Sequence, residues 1–155
     1  MKASILVADD DDNDLRMIEM ALQEDGHPPL VRYVRDGDEA LDYLQARGVS
    51  QGWSDYPAFI LLDLHMPRVD GWEVLRRVRA DERLKRIPIV IFSSSAREVD
   101  IRHCYDLGAN AYVVKPIDFD RFRETVGAIK TFWTGCNLSL HAAPRPAQSS
   151  APRRP

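Results

Sequence analysis

The chain has 155 residues, of which 45% are hydrophobic and 29% charged, with a formal net charge of −3 and a pI near 5.8. That length suits one globular domain of about 100–150 residues plus some irregular sequence, and it excludes a second full domain. The charge balance offers no general basic field for nucleic acid, and no segment approaches the roughly 18 consecutive apolar residues that a bilayer span requires.

The N-terminal Met1–Ala8 is too short an apolar core for a signal peptide and runs directly into carboxylates. Ser4–Ala8 reads as a first strand. Four aspartates, Asp9 to Asp12, separate it from a helix whose apolar residues Leu15, Ile18 and Leu22 recur at helical spacing, with Asp12 and Asn13 as capping candidates. A second strand at Leu30–Val34 precedes Asp36-Gly37 and a helix marked by Ala40, Leu41 and Leu44. The segment GVSQGWSDYP reads as a long loop. Two runs, FILL at Phe59–Leu62 and IVIF at Ile89–Phe92, are continuously apolar, as expected of central strands buried on both faces. Between them Val74, Leu75 and Val78 mark a third helix that stops before Pro88. Ile101, Cys104 and Tyr105 line a fourth helix ended by Gly108, Ala111–Val114 is a fifth strand, and Phe119, Phe122, Val126, Ile129 and Trp133 line the last helix.

Strands alternating with helices five times predict an α/β fold: a doubly wound five-stranded parallel sheet with helices on both faces. The domain is expected over residues 1–133. From Thr134 the pattern fails, since residues 134–155 carry four prolines and three arginines and few large apolar groups, the composition of a flexible tail or a dimerisation arm. Those 22 residues are too few and too proline-rich for a DNA-binding domain, so no nucleic-acid partner and no membrane contact is expected. Cys104 and Cys136 lack CxxC spacing and fit reduced structural thiols in the cytoplasm.

In open parallel sheets ligands sit beyond the carboxyl ends of the strands, near the point where strand order reverses. Here the first strand ends in Asp9 and Asp10, the third in Asp63, the fourth in Ser93 and the fifth in Lys115 followed by Pro116. Carboxylates gathered so closely need a cation or must take up protons, and a set of oxygen ligands favours Mg²⁺. Asp11, Asp12 and Asp14 are read as acids that cap the first helix and favour its dipole. With the ion in place one carboxylate can attack a phosphoryl group, while a lysine and a hydroxyl suit the remaining oxygens. Asp63, at the end of an apolar strand, is the best nucleophile. His27, His103 and His141 receive no role, and Trp53 and Trp72 no assignment. Phe132 and Trp133 continue the apolar stripe of the last helix and suit either packing or a partner surface.

The segments ADDDDND, LLDLHMPRVDGWEVL, IPIVIFSSSA and GANAYVVKP, in this order, resemble the receiver domain of two-component response regulators, from Ser4 to Trp133. The intervals of 30 residues from Asp63 to Ser93 and 22 from Ser93 to Lys115 are usual for receivers. The resemblance implies a flavodoxin-like receiver fold that takes a phosphoryl group from a sensor histidine kinase onto Asp63. It implies Asp10 as a direct Mg²⁺ ligand, Asp9 as one acting largely through water, and a further ligand from the main-chain carbonyl of His65. Ser93 then takes the switch hydroxyl position, Tyr112 the aromatic switch position and Lys115 the phosphoryl partner, with a cis Lys115-Pro116 bond. Asp9 stands where Glu is common, Ser93 where Thr is more frequent, and His65 and Ser95 occupy variable positions that tune phosphoryl lifetime. DGDEALDYLQARG, the long loop and the YVVKPIDFDRF…IKTFW ending are similar to single-domain regulators that serve phytochromes, which implies a homodimer with a C-terminal contribution from residues such as Phe132, Trp133 and Asn137 to Leu140. The alternative is a haloacid dehalogenase-like phosphatase, but its second aspartate two residues after the nucleophile is replaced here by His65, and the acidic pair comes first in the chain rather than last.

Overall fold

The computed structural model of the chain describes residues 3–47 and 56–140. Trp53, most of the expected GVSQGWSDYP loop, His141 and the rest of the proline-rich segment lie outside the described residues. The elements follow one another as β1 (Ser4–Ala8), α1 (Asp12–Gln23), β2 (Leu30–Val34), α2 (Gly37–Arg47), β3 (Phe59–Leu62), α3 (Gly71–Ala80), β4 (Ile89–Ser93), α4 (Glu98–Asp106), β5 (Ala111–Val114) and α5 (Phe119–Thr131). All strand pairs are parallel, in the order β2-β1-β3-β4-β5. β4 runs one residue further than its apolar run, because Ser93 still pairs with Val114 and its carbonyl accepts from the Lys115 amide at 2.8 Å.

Side chains alternate across a strand, so every central strand feeds two cores. Leu6, Ile60, Leu62, Ile89 and Ile91 point to the face covered by α2, α3 and α4, where they meet Leu41, Leu44, Val74, Leu75, Val78 and Cys104. Ile5, Val7, Phe59, Leu61, Val90 and Phe92 point to the other face, against Leu15, Ile18 and Leu22 of α1 and Phe122, Val126 and Ile129 of α5. Burial on both faces is why FILL and IVIF show no polar alternation.

Several local expectations change. Of the residues read as capping α1, Asp11 is the cap and Asp12, Asn13 and Asp14 are not: its backbone is extended, and its carboxylate accepts from the amides of Asn13 and Asp14 at 2.8 and 3.0 Å. In α4 only Cys104 is buried, and Tyr105 is half exposed because one residue on turns a side chain by about 100° around the helix. Phe119 also faces outward, with the Arg123 guanidinium over its ring. Lys130 is buried instead, its ammonium donating to Asp25 and to the carbonyls of Leu22 and His27, and so tying α5 to the turn after α1. The Lys115-Pro116 bond is trans, the isomer that an X–Pro amide favours by about 0.5–1 kcal/mol. Beyond Thr131 the helical run continues as one π turn, Phe132–Cys136, closed by the Asn137 amide on the Phe132 carbonyl at 2.7 Å. Phe132 is half exposed there, edge-on to Trp133, while Trp133 packs against the α1/α5 core.

Arg79 at the end of α3 is a second partly buried cation. Its guanidinium donates to the carbonyls of Gly108, Lys85 and Ile87 and to the side-chain oxygen of Asn110, which also accepts from the Ile89 amide. It thereby joins α3, the approach to β4 and the α4–β5 turn.

Gly71 fixes how closely α3 approaches the end of β3. A Cβ there would lie 2.2 Å from the carbonyl oxygen of Asp63 and 2.7 Å from the Cα of Leu64, both backbone atoms that cannot rotate away, and the Gly71 amide donates to the Leu64 carbonyl at 2.9 Å. Gly71→Ala is expected to lose about 2 kcal/mol or more in urea unfolding, the cost of overpacking against main chain. An unchanged midpoint would show that the backbone yields there at little cost.

Candidate functional site

The reversal of strand order falls between β1 and β3, because the chain leaves β1 towards β2 on one side and returns as β3 on the other. Beyond the ends of these strands the backbone is still held in ladder geometry. The Asp9 amide donates to the Val34 carbonyl at 3.1 Å, and the Asp63 amide to the Ala8 carbonyl at 2.9 Å. With the bond from Lys115 to Ser93, three candidate residues have their main chains fixed before their side chains are considered.

The side chains converge. Carboxylate oxygens of Asp9, Asp10 and Asp63 all lie within 4.8 Å of one another. Asp9 and Asp63 are buried, while Asp10 is exposed and leaves the cluster open on one side. The Lys115 ammonium reaches in from β5, 2.7 Å from Asp9 Oδ2 and 3.4 Å from Asp63 Oδ2. The remaining oxygens of the two buried acids accept backbone amides: Asp9 Oδ1 from Asp11 at 2.9 Å, Asp63 Oδ1 from Leu64 at 2.8 Å. All the donors are oxygens, two of the acids are buried and one is open to solvent, which fits a hard divalent ion such as Mg²⁺.

Ser93 is fully buried at the end of β4, and its hydroxyl oxygen accepts from the Ser95 amide at 3.2 Å. Tyr112 is half-buried on β5 and donates its hydroxyl to the Ser95 carbonyl at 2.8 Å, so the expected switch pair is connected through the β4–α4 loop. His65 is exposed, its ring edge-on to Trp72 with centroids 5.3 Å apart.

One member of the site differs from the sequence expectation. Asp14 was expected to serve the helix end, but Asp11 fills that role and the Asp14 carboxylate instead meets the Lys115 ammonium at 2.8 Å. The signal lies in the helical stripe itself. Leu22, Ile18 and Asp14 are spaced by four, so the face that buries the first two also carries the aspartate towards the sheet.

Burial pushes the Asp9 carboxyl up to about 6 against the opposing pull of Lys115. Asp63 is raised for the same reasons. Burial also acts to lower the Lys115 ammonium, but its pairs with Asp9, Asp14 and Asp63 outweigh this and carry it above the ordinary lysine range.

The pattern of the response regulator receiver domain matches residues 5–127. The chain belongs to the response regulator receiver family. This receiver is 37% identical over 135 residues to a probable methanogenesis regulatory protein, FilR2, of Methanothrix harundinacea, covering 87% of this chain and 86% of that one. It is 34% identical over 129 residues to the response regulator Rcp1 of Synechocystis, covering 83% and 87% of the two chains. The Mn²⁺-bound crystal structure of Rcp1 superposes with a TM-score of 0.78 at 31% identity, over 88% of this chain and 98% of that one. The phosphorylated cyanobacterial phytochrome response regulator RcpA superposes with a TM-score of 0.82 at 37% identity, over 90% of this receiver and 99% of that chain. The five-stranded doubly wound sheet is thus the receiver fold, and relatives of this receiver include phytochrome response regulators. No helix among the described residues is long and apolar enough to cross a membrane.

A raised carboxyl pKa gives a definite sign. Folded Asp9 holds its proton up to about pH 6, whereas the unfolded chain releases it near the ordinary value of 3.8, so Asp9 favours the folded state at low pH and this contribution is lost as pH rises from about 4 through 6. Without divalent ions, Asp9→Asn should therefore gain about 2–3 kcal/mol over the parent at pH 7 and close to nothing at pH 4, measured by urea unfolding. Equal gains at both pH values would show that Asp9 is not held in its acid form by burial.

Proposed function

We propose that this receiver accepts a phosphoryl group from a sensor histidine kinase onto Asp63 and signals through altered protein contacts. The observation that carries the reading is the juxtaposition of Asp63 with Asp9 and Asp10, whose oxygens lie within 4.8 Å, and with the Lys115 ammonium 3.4 Å away. A Mg²⁺ ion would be held by Asp9, Asp10, Asp63 and the main-chain carbonyl of His65. When bound, it neutralises charge on the phosphoryl oxygens.

In the proposed transfer a carboxylate oxygen of Asp63 forms the new bond to phosphorus while the phosphorus–nitrogen bond of the donor histidine breaks, and the imidazole leaves with the bonding pair and picks up a proton. Lys115 supplies positive charge beside the transferred group, and Ser93 offers a hydroxyl donor. Hydrolysis reverses the modification: water attacks phosphorus, phosphate leaves, and the Asp63 carboxylate returns. Catalysis by the chain extends no further than phosphorylation from small donors and this self-dephosphorylation. The buried Ser93 hydroxyl and the Tyr112–Ser95 bond lie between the acceptor and α4, a route by which a phosphoryl group would bias α4, β5 and α5 between two arrangements.

Likeness to phytochrome response regulators supports a bacteriophytochrome as the cognate kinase and a cytoplasmic, single-domain regulator. A homodimer is part of the same proposal. Its support is the half-exposed Phe132 and the exposed Leu138 and Leu140 beyond α5.

Incubation with acetyl phosphate and Mg²⁺, followed by intact-mass analysis, should add one phosphoryl group to the parent and none to Asp63→Asn, and a chelator should abolish the gain. Equal uptake by parent and variant would reject Asp63 as the acceptor. A generic phosphate ester should show no multiple turnover, in contrast with a haloacid dehalogenase-like phosphatase.

A further inference from the structure

Lys115 has a partner that the acceptor chemistry does not require. Its ammonium sits 2.7 Å from Asp9 Oδ2, 2.8 Å from Asp14 Oδ2 and 3.4 Å from Asp63 Oδ2, and its side chain is only 9% exposed. Asp9 and Asp63 also belong to the group of acids suited to a divalent ion, and Asp14 does not. Asp14 has no duty at the helix end either, since Asp11 accepts the amides of Asn13 and of Asp14 itself.

A cation bound by Asp9 and a lysine donating to Asp9 compete for the same oxygens. A nearly buried ammonium that simply lost Asp9 would be left with poorly compensated charge, a costly state in a low-dielectric pocket. A carboxylate outside the ion's reach removes this obstacle, because the ammonium can withdraw from Asp9 and stay paired.

We propose that Asp14 is a positioning residue that holds Lys115 when a divalent ion takes Asp9, so that the ion enters without leaving a buried ammonium unpaired. The inference rests on the phosphoacceptor reading above and assigns a role to a residue within it. Asp14 acts through Lys115 and touches neither the ion nor the phosphoryl group.

The test is calorimetric titration of Mg²⁺ into the full chain and into Asp14→Asn, Lys115→Gln and the double variant. With Lys115 present, Asp14→Asn should weaken Mg²⁺ binding about tenfold, because the ammonium then clings to Asp9; with Lys115→Gln the same change should cost less than about threefold, the residue of a more distant charge. Asp14→Glu should bind Mg²⁺ within about threefold of the parent, as a carboxylate on a longer stem can still reach Lys115. Equal losses in both backgrounds, or no loss with Lys115 present, would overturn the assignment. Those outcomes leave the phosphoacceptor reading intact provided the parent binds Mg²⁺ and gains a phosphoryl group from acetyl phosphate. A parent that does neither overturns both.

Discussion

A nearly buried ammonium stays charged only among carboxylates, and carboxylates stay charged together only beside a cation. Lys115, Asp9, Asp14 and Asp63 satisfy this mutual requirement with side chains from β5, β1, α1 and β3. Each of those side chains starts from a main-chain position fixed by its neighbours, so the compensation is built into the sheet and does not depend on mobile loops. The balance still favours negative charge, because Asp10 adds a third carboxylate to the cluster, and this surplus suits a divalent ion.

The scaffold serves the same end. The order β2-β1-β3-β4-β5 brings the acids of β1 and β3 side by side, at the carboxyl end of a sheet whose two faces are covered by apolar cores. Gly71 lets α3 begin against the main chain of Asp63 and Leu64, which closes the end of β3 from behind. On the far side Ser93, Ser95 and Tyr112 form a short polar chain through the β4–α4 loop. A group added at Asp63 therefore meets rigid backbone on one side and hydrogen bonds that can exchange partners on the other.

The strands were readable from the sequence because burial on both faces leaves long apolar runs, and FILL and IVIF name the centre of the sheet without ambiguity. The assembly at the strand ends was readable because residues just past parallel strands must share one edge. Longer-range compensation was less visible. Lys130 and Arg79 look like surface cations in a helical pattern, but Lys130 is buried and Arg79 partly buried among oxygens from elsewhere in the chain, the Asp25 carboxylate included. Asp14 was hidden by its neighbours, since one of several adjacent acids had to cap the helix and the sequence does not say which. Phe119 and Tyr105 depart from the helical stripe for a simpler reason: an aromatic near its edge can face outward as readily as enter the core, and Phe119 lies against the Arg123 guanidinium.

Lys115 and the partly buried Arg79 meet acid differently. The oxygens around the Arg79 guanidinium are amide oxygens from Gly108, Lys85, Ile87 and Asn110, none of which takes up a proton in water. The corner where α3, β4 and β5 meet is thus anchored by bonds indifferent to acidity, whereas the pocket at the opposite ends of the strands is built from groups that titrate. Between about pH 6 and 4 the buried carboxyl of Asp9 takes up its proton at the chemical end, whereas the bonds around Arg79 do not change.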